Sequence, residues 1–334
     1  MNIDTDLPPA ATRPFDQLID TLVHAVTYST SECHYLELRS EVPLPAFEAG
    51  AHIDIHLDEG LIRQYSLCNS PDETYRYLIC VQRRDNGRGG SLAIHERLRV
   101  GDSIRISRPR NNFPLEPASN YILLAGGIGV TPLASMAQHL HSNGTPFELH
   151  LYTRGLESAP LLDILQKPHL RHHVTIHTSD NGDSIRNGLP ASARTPASTE
   201  RMYICGPQGF IEYVLDEATA VGWPNERLHV ERFAPTQTNS LNAAARESFT
   251  VVIASTGQQF DVGPEETIAS ALTAGGVEVE LSCEQGMCGA CLTGVIAGIP
   301  EHHDDVQTPA EHATNTAITI CCSRSRTPEL ILDL

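Results

Sequence analysis

The chain has 334 residues, 40% of them apolar, which is too long for one ordinary core and enough for two or three. Its formal charge is −18, from 23 basic and 41 acidic side chains, and this excludes the basic surface on which nucleic-acid affinity rests. No apolar run reaches the roughly eighteen residues of a membrane span. Residues 1–14 are polar and Pro-rich, without the basic start and apolar stretch of a signal peptide. They are expected to form a short disordered arm on a monomeric cytoplasmic protein.

Residues 15–114 show short alternating runs broken by Pro, Gly and Asn. In His52-Ile53-Asp54-Ile55-His56-Leu57-Asp58 the aliphatic residues share one face, the period of a half-buried strand. A second strand is expected over 75–81. Many short strands with frequent turns predict a small antiparallel β-barrel. Two motifs in this region suit a flavin, which needs a wall against its ring, a donor towards N5 and a cationic phosphate site. Arg63-Gln64-Tyr65-Ser66 offers Tyr65 for the ring, Ser66 for N5 and Arg63 for phosphate. Gly87-Arg88-Gly89-Gly90-Ser91 adds a second cation and a helix start facing that phosphate. Val81, closing the second strand, is placed with them as a flavin contact.

Residues 115–233 change period. Tyr121-Ile122-Leu123-Leu124-Ala125 is a continuous apolar strand, followed by Gly126-Gly127-Ile128-Gly129-Val130-Thr131-Pro132. That turn lets a dinucleotide pyrophosphate approach bare backbone and a helix N-terminus, with Thr131 as cap and Pro132 in the first turn. Further strands are expected over 147–153, 173–179 and 201–205. Strands alternating with helices predict a parallel sheet, hence an α/β nucleotide-binding unit. Cys205-Gly206-Pro207 repeats the strand-to-helix turn where open α/β sheets bind ligands.

Residues 234–247 have no apolar period and are expected to be a linker. Residues 248–334 form a third unit, with twelve Asp/Glu against two Arg. This acidic surface is either an ordinary solvated face or one that steers a basic partner. Five of the nine cysteines fall in this unit. Cys283, Cys288 and Cys291 have the C-x4-C-x2-C spacing of a plant-type [2Fe–2S] loop. Gly286 and Gly289 leave room for backbone N–H groups to face the inorganic sulfur. The fourth thiolate is Cys321 or Cys322, expected on opposite faces of a strand over 317–322. The x4 gap fits zinc poorly, and no Cys-x-His pair supports a Rieske centre. His302, His303 and His312 are expected on the surface.

Together these motifs resemble the phthalate dioxygenase reductase type within the ferredoxin–NADP⁺ reductase superfamily, from about residue 16 to 334. The resemblance implies a flavin barrel, a nicotinamide domain and a C-terminal β-grasp ferredoxin, in that order. It implies FMN held by Arg63, Tyr65, Ser66 and residues 87–91, and covered by Phe233. It implies NADH on Gly126, Gly127, Ile128, Gly129, Thr131 and Pro132, with Cys205, Gly206 and Pro207 beside the nicotinamide. Ser66 and Cys205 are then the residues nearest the hydride, and Cys321 is the fourth cluster ligand. The implied activity is electron transfer from NADH through FMN and the cluster to a Rieske-type oxygenase of aromatic acids. A haem monooxygenase or another acceptor fits the same chain. Arg154, at a strand end beside the adenosine ribose, suits a 2′-phosphate and keeps NADPH open. A zinc-stabilised binding module without redox activity is the reading from another class.

Overall fold

The computed structural model describes residues 18–57, 61–234 and 247–334. The expected N-terminal arm and all but the ends of the expected linker lie outside the described residues.

Six strands come first: β1 (Ile19–Thr30), β2 (Cys33–Arg39), β3 (His52–His56), β4 (Ile62–Ser66), β5 (Tyr77–Gln82) and β6 (Ser103–Ile106), with helix α1 (Gly90–Arg97) between the last two. They form one antiparallel sheet in the order β4-β3-β6-β1-β2-β5. Its edges meet where Leu67 bridges Ile79 and the Cys68 N–H donates to the Leu78 carbonyl at 2.9 Å, closing a barrel. Ile53 and Ile55 point into the barrel core with Val23, Leu36, Ile79 and Ile106. The opposite face of β3 is covered as well. His52 and Asp54 are buried, and Asp54 takes a 2.7 Å ion pair from Arg110. The strand is therefore buried on both faces, where the alternation predicts half-burial. β1 carries apolar residues on both faces, Val23 buried but Leu22 and Val26 exposed, so its period is invisible in the sequence.

The second region contains β7 (Asn120–Gly126), α2 (Val130–Ser142), β8 (Phe147–Thr153), α3 (Leu162–Leu165), β9 (Val174–Thr178), β10 (Glu200–Cys205), α4 (Gln208–Ala220) and β11 (Leu228–Glu231). The sheet is wholly parallel in the order β11-β10-β7-β8-β9. β7 is apolar from Tyr121 to Ala125 because both of its faces are covered. Ile122 and Leu124 pack with Met202, Ile211 and Val214, while Leu123 and Ala125 pack with Leu133, Ala137 and Leu149. The second of these cores also takes in Cys33, Tyr35, Cys68 and Cys80 of the barrel. Gln138 of α2 donates to the Cys68 carbonyl at 2.8 Å, so barrel and sheet share one interior.

The third region contains β12 (Phe249–Ile253), β13 (Gln259–Val262), α5 (Ile268–Ala274), β14 (Leu292–Ala297), β15 (Pro300–Glu301), α6 (Pro309–Thr314), β16 (Ala317–Thr319), β17 (Arg324–Ser325) and β18 (Glu329–Asp333). The main sheet runs β13-β12-β18-β14-β16, with β12 and β18 parallel and the other pairs antiparallel. α5 lays Ile268, Ala269 and Leu272 on it, the β-grasp arrangement. Thr267 caps α5 by accepting from the Ser270 N–H at 3.0 Å, and Ser270 returns the bond, so the helix starts at Ile268. Among the described residues no helix is long and apolar enough to cross a membrane.

Candidate redox site

The loop that carries the three spaced cysteines buries Cys283, Cys288 and Cys291. Gly286 and Gly289 have φ of 73° and 72°. A Cβ on Gly286 would stand 2.5 Å from the Cys322 sulfur and 2.9 Å from the Asp304 Cα, so only glycine fits. The amides of Gln285 and Met287 donate to the Cys283 sulfur at 3.3 and 3.4 Å, and Ala290 donates to Cys288 at 3.4 Å. The neighbouring Cys288 thiol and these N–H groups hold Cys283 down to about 6, against the effect of burial.

The fourth thiol comes from a turn. β16 ends at Thr319, and the Cys322 and Ser323 amides both donate back to the Thr319 carbonyl, at 3.4 and 3.0 Å. The expected strand over 317–322 is thus cut short, and the opposite-face argument does not apply. The turn brings Cys321 against Cys291, whose sulfur pushes the Cys321 thiol up to about 12. Cys322 lies 3.3 Å from the Thr319 hydroxyl and 3.8 Å from that of Ser323. Cys283 thus neighbours Cys288 and Cys291 neighbours Cys321, an arrangement that would give each iron of a [2Fe–2S] cluster two thiolates. The donor set, the bare glycines and the converging amides fit that cluster.

The flavin-motif residues lie on the first and last strands of the barrel sheet and in the loop that opens α1. Arg63, Tyr65 and Ser66 lie on β4, and Val81 lies on β5. The Arg63 side chain crosses directly over Gly90, where a Cβ would stand 2.2 Å from its Cγ, and its guanidinium donates to the Arg88 carbonyl. Burial, then the nearby Arg88 charge, lower the Arg63 pKa. α1 begins at Gly90 with Gly89 left-handed at φ 81°, leaving first-turn N–H groups without a side-chain cap. The Ser91 hydroxyl is taken up locally, accepting from the Arg84 N–H at 3.1 Å. Phe233 lies just beyond β11 and is 41% exposed.

The two turns of the parallel sheet interlock. Cys205 on β10 pairs in register with Ala125 on β7. A Cβ on Gly129 would stand 2.3 Å from the Cys205 carbonyl oxygen, and one on Gly126 would stand 2.9 Å from Pro207. A short 3₁₀ turn over residues 127–129 precedes α2, so Thr131 sits inside the first helical turn rather than capping it. Its hydroxyl donates back to the Ile128 carbonyl at 3.0 Å. Pro132 is buried in the same turn. Cys205 is fully buried, and burial raises its thiol pKa well above the ordinary value.

Three features of this site escape the motifs. Arg88 points away from its own loop and donates to the Cys283 carbonyl at 2.7 Å and to Gln285 Oε1 at 3.2 Å. Asn112 donates to the Cys288 carbonyl at 3.1 Å. The flavin-motif loop and the cluster loop are therefore in direct contact. Glu231, beside Cys205 in the next strand, has a buried Oε2 without a partner, and burial pushes its carboxyl up to about 8. Glu231 carries the signal of an acid at the end of a parallel strand, and Arg88 that of a phosphate motif, while Asn112 carries none.

A model of the 2Fe-2S iron–sulfur cluster binding domain matches residues 251–326. Vanillate O-demethylase oxidoreductase from Pseudomonas sp. (strain HR199 / DSM 7063) is 44% identical over 292 residues, 87% of this chain and 91% of that one. Phthalate dioxygenase reductase from Burkholderia cepacia is 39% identical over 297 residues, 87% of this chain and 89% of that one. The chain belongs to the phthalate dioxygenase reductase family. A solved phthalate dioxygenase reductase superposes with a TM-score of 0.71 and 35% identity, covering 96% of this chain and 98% of that one. This reductase is accordingly an iron–sulfur oxidoreductase of the kind that supplies electrons to an oxygenase, on a fold that binds flavin and NAD(H). That sets aside the non-redox zinc module. An intact type IV self-sufficient cytochrome P450 monooxygenase matches with a TM-score of 0.83 and 33% identity, over 95% of this chain and 41% of that longer one.

Proposed function

We propose that this reductase carries electrons from NADH through FMN and the [2Fe–2S] cluster to a Rieske-type oxygenase acting on an aromatic acid, for example in O-demethylation. The observation that carries the reading is Arg88, whose loop belongs to the flavin motif and whose guanidinium holds the Cys283 carbonyl. When bound, a flavin takes a nicotinamide's two electrons as a pair and returns them singly, which is how a [2Fe–2S] cluster accepts them.

The residues divide the work. Tyr65 and Val81 wall the ring, Ser66 donates towards N5, and Arg63 with the amides of 87–91 neutralises a single phosphate, which favours FMN. Gly126, Gly127, Ile128, Gly129, Thr131 and Pro132 present backbone to the pyrophosphate. Cys205, Gly206 and Pro207 would flank the nicotinamide, and Phe233 would cover the flavin ring. Cys283, Cys288, Cys291 and Cys321 hold the cluster. The units are divided as 15–114, 115–233 and 248–334, and the protein works as a cytoplasmic monomer.

The names of two relatives, a vanillate O-demethylase oxidoreductase and a phthalate dioxygenase reductase, support an aromatic-acid oxygenase as acceptor. The match to a self-sufficient P450 supports a second reading, in which a haem monooxygenase takes the electrons. Reconstitution separates them. The first expects NADH-dependent turnover with a Rieske oxygenase and its aromatic acid, and turnover only with a P450 would replace it. Anaerobic NADH titration checks the shared chain, since both flavin and cluster absorbance must bleach.

A further inference from the structure

Behind the cluster loop lies a group of side chains that the electron path does not use. His302, Asp304 and His312 each bring one ligand atom to a common point, all within 4.8 Å of one another. From the sequence both histidines are expected on the surface, yet the His302 side chain is only 9% exposed, that of His312 26%, and that of Asp304 not at all. The two imidazoles stack with centroids 4.3 Å apart and planes 20° apart. The turn at Thr308, which caps α6 through Glu311, swings His312 back over His302.

The polar accounting around these rings is unbalanced. His302 Nδ1 stands 3.8 Å from Asp304 Oδ1, and His312 Nε2 stands 3.2 Å from Oδ2. Both nitrogens are buried, and neither has a partner in hydrogen-bonding geometry. His302 Nε2 lies 3.4 Å from Asn315 Oδ1, an acceptor that claims the ring proton. Nδ1 then turns a lone pair towards a carboxylate, an acceptor facing an acceptor. A second proton on His302 would relieve this, but burial and the stacked His312 both oppose it. A cation relieves it without that cost.

We infer that His302, Asp304 and His312 form a site for one divalent transition-metal ion of the zinc class, separate from the four cluster thiolates. Two imidazole nitrogens and one carboxylate oxygen are a donor set suited to zinc, with a fourth position left for water on the exposed side of His312. The carboxylate is already oriented as metal-bound carboxylates are. It accepts from the Gln307 N–H at 2.9 Å and from the Thr319 hydroxyl at 3.1 Å. The site also touches the cluster loop, because the Asp305 N–H donates to the Gly286 carbonyl at 3.0 Å. A bound ion would tie α6 and β16 to the back of that loop.

The test uses the flavin- and cluster-loaded protein, stripped with a mild chelator and dialysed against Zn²⁺ while its visible spectrum is followed. One zinc per chain is expected, beyond the cluster iron and with cluster absorbance unchanged. His312→Ala, at a partly exposed position, should weaken binding by at least ~10-fold with flavin and cluster content intact. His303→Ala should leave binding unchanged, since His303 instead pairs with Glu301 at 3.4 Å. In crystals, an anomalous zinc peak should lie about 2.0–2.2 Å from the three ligand atoms. Unchanged binding in His312→Ala, no zinc bound, or zinc taken up only with bleaching of the cluster would each overturn the site.

Discussion

The cluster loop and the turns of the parallel sheet are built on opposite plans. In the cluster loop the side chains carry the chemistry, at fixed intervals within nine residues, and the glycines only clear space. In the turns at 126–132 and 205–207, where nucleotide binding is proposed, the glycines let backbone approach backbone. Gly129 exists because the Cys205 carbonyl passes where its Cβ would be. The first plan is read from sequence spacing. The second appears only when two distant strands are laid side by side.

The sharpest break of this comparison is a thiolate deletion. Cys288→Ala should abolish the cluster's visible absorbance and all electron delivery to a one-electron protein acceptor. NADH-dependent reduction of the flavin should survive, because the barrel and sheet keep their own core. Cys322→Ser should keep full iron content, since its thiol faces Thr319 and Ser323. Loss of iron in Cys322→Ser with retention in Cys321→Ser would reverse the assignment of the fourth ligand.

The next effect lies at the nucleotide turns. Glu231 has a folded pKa of about 8 because its carboxylate is buried, against about 4.5 in the unfolded chain. Between those values the folded state keeps a proton that the unfolded state has released. Stability therefore falls as pH rises through that window, by up to ~1.4 kcal/mol per pH unit, and levels off above about 8. Thermal unfolding of the wild type and Glu231→Gln from pH 5 to 9 should show this slope only in the wild type. Parallel curves would place the proton elsewhere.

Legibility followed the same division. The C-x4-C-x2-C spacing marks three candidate ligands, and the continuous apolar run at 121–125 marks the central parallel strand. Cys321 could be chosen over Cys322 only by resemblance, because the turn after Thr319 is set by tertiary packing. β1 was hidden because Leu22 and Val26 put apolar side chains on its solvent face. His302 looked like a surface residue because its burial depends on α6 folding back over it. Arg88 carried a phosphate-motif signature, and nothing local tells that its guanidinium reaches a loop almost two hundred residues away.

Gly129 and Gly127 sharpen the claim that backbone approach defines the turns. Gly129→Ala forces a Cβ into backbone on the neighbouring strand, and overpacking of this kind costs about 1–3 kcal/mol. The KM for NADH should rise with it. Gly127 has open space around it but a φ of 54°, so Gly127→Ala meets only the left-handed penalty of about 1–2 kcal/mol. Denaturant unfolding should rank the two, and only Gly129→Ala should shift the Cys205 turn. Equal KM for both variants would break the interlocking argument.

The smallest expected effect tests the contact between the flavin-motif loop and the cluster loop. Arg88→Ala removes two bonds to the cluster loop while sparing Arg63 and the amides of α1. A hydrogen bond from a charged group is worth about 1.5–3 kcal/mol, part of which Asn112 retains through its own bond to Cys288. Electron passage from flavin to cluster should slow by about 10-fold, equivalent to ~1.4 kcal/mol. Flavin affinity should fall less, because Arg63 and the helix start remain. Stopped-flow reduction resolves the two steps, with flavin bleaching at its normal rate and cluster bleaching delayed. If flavin affinity drops while cluster reduction keeps pace, Arg88 serves phosphate first, and the loop contact is only a by-product of its length.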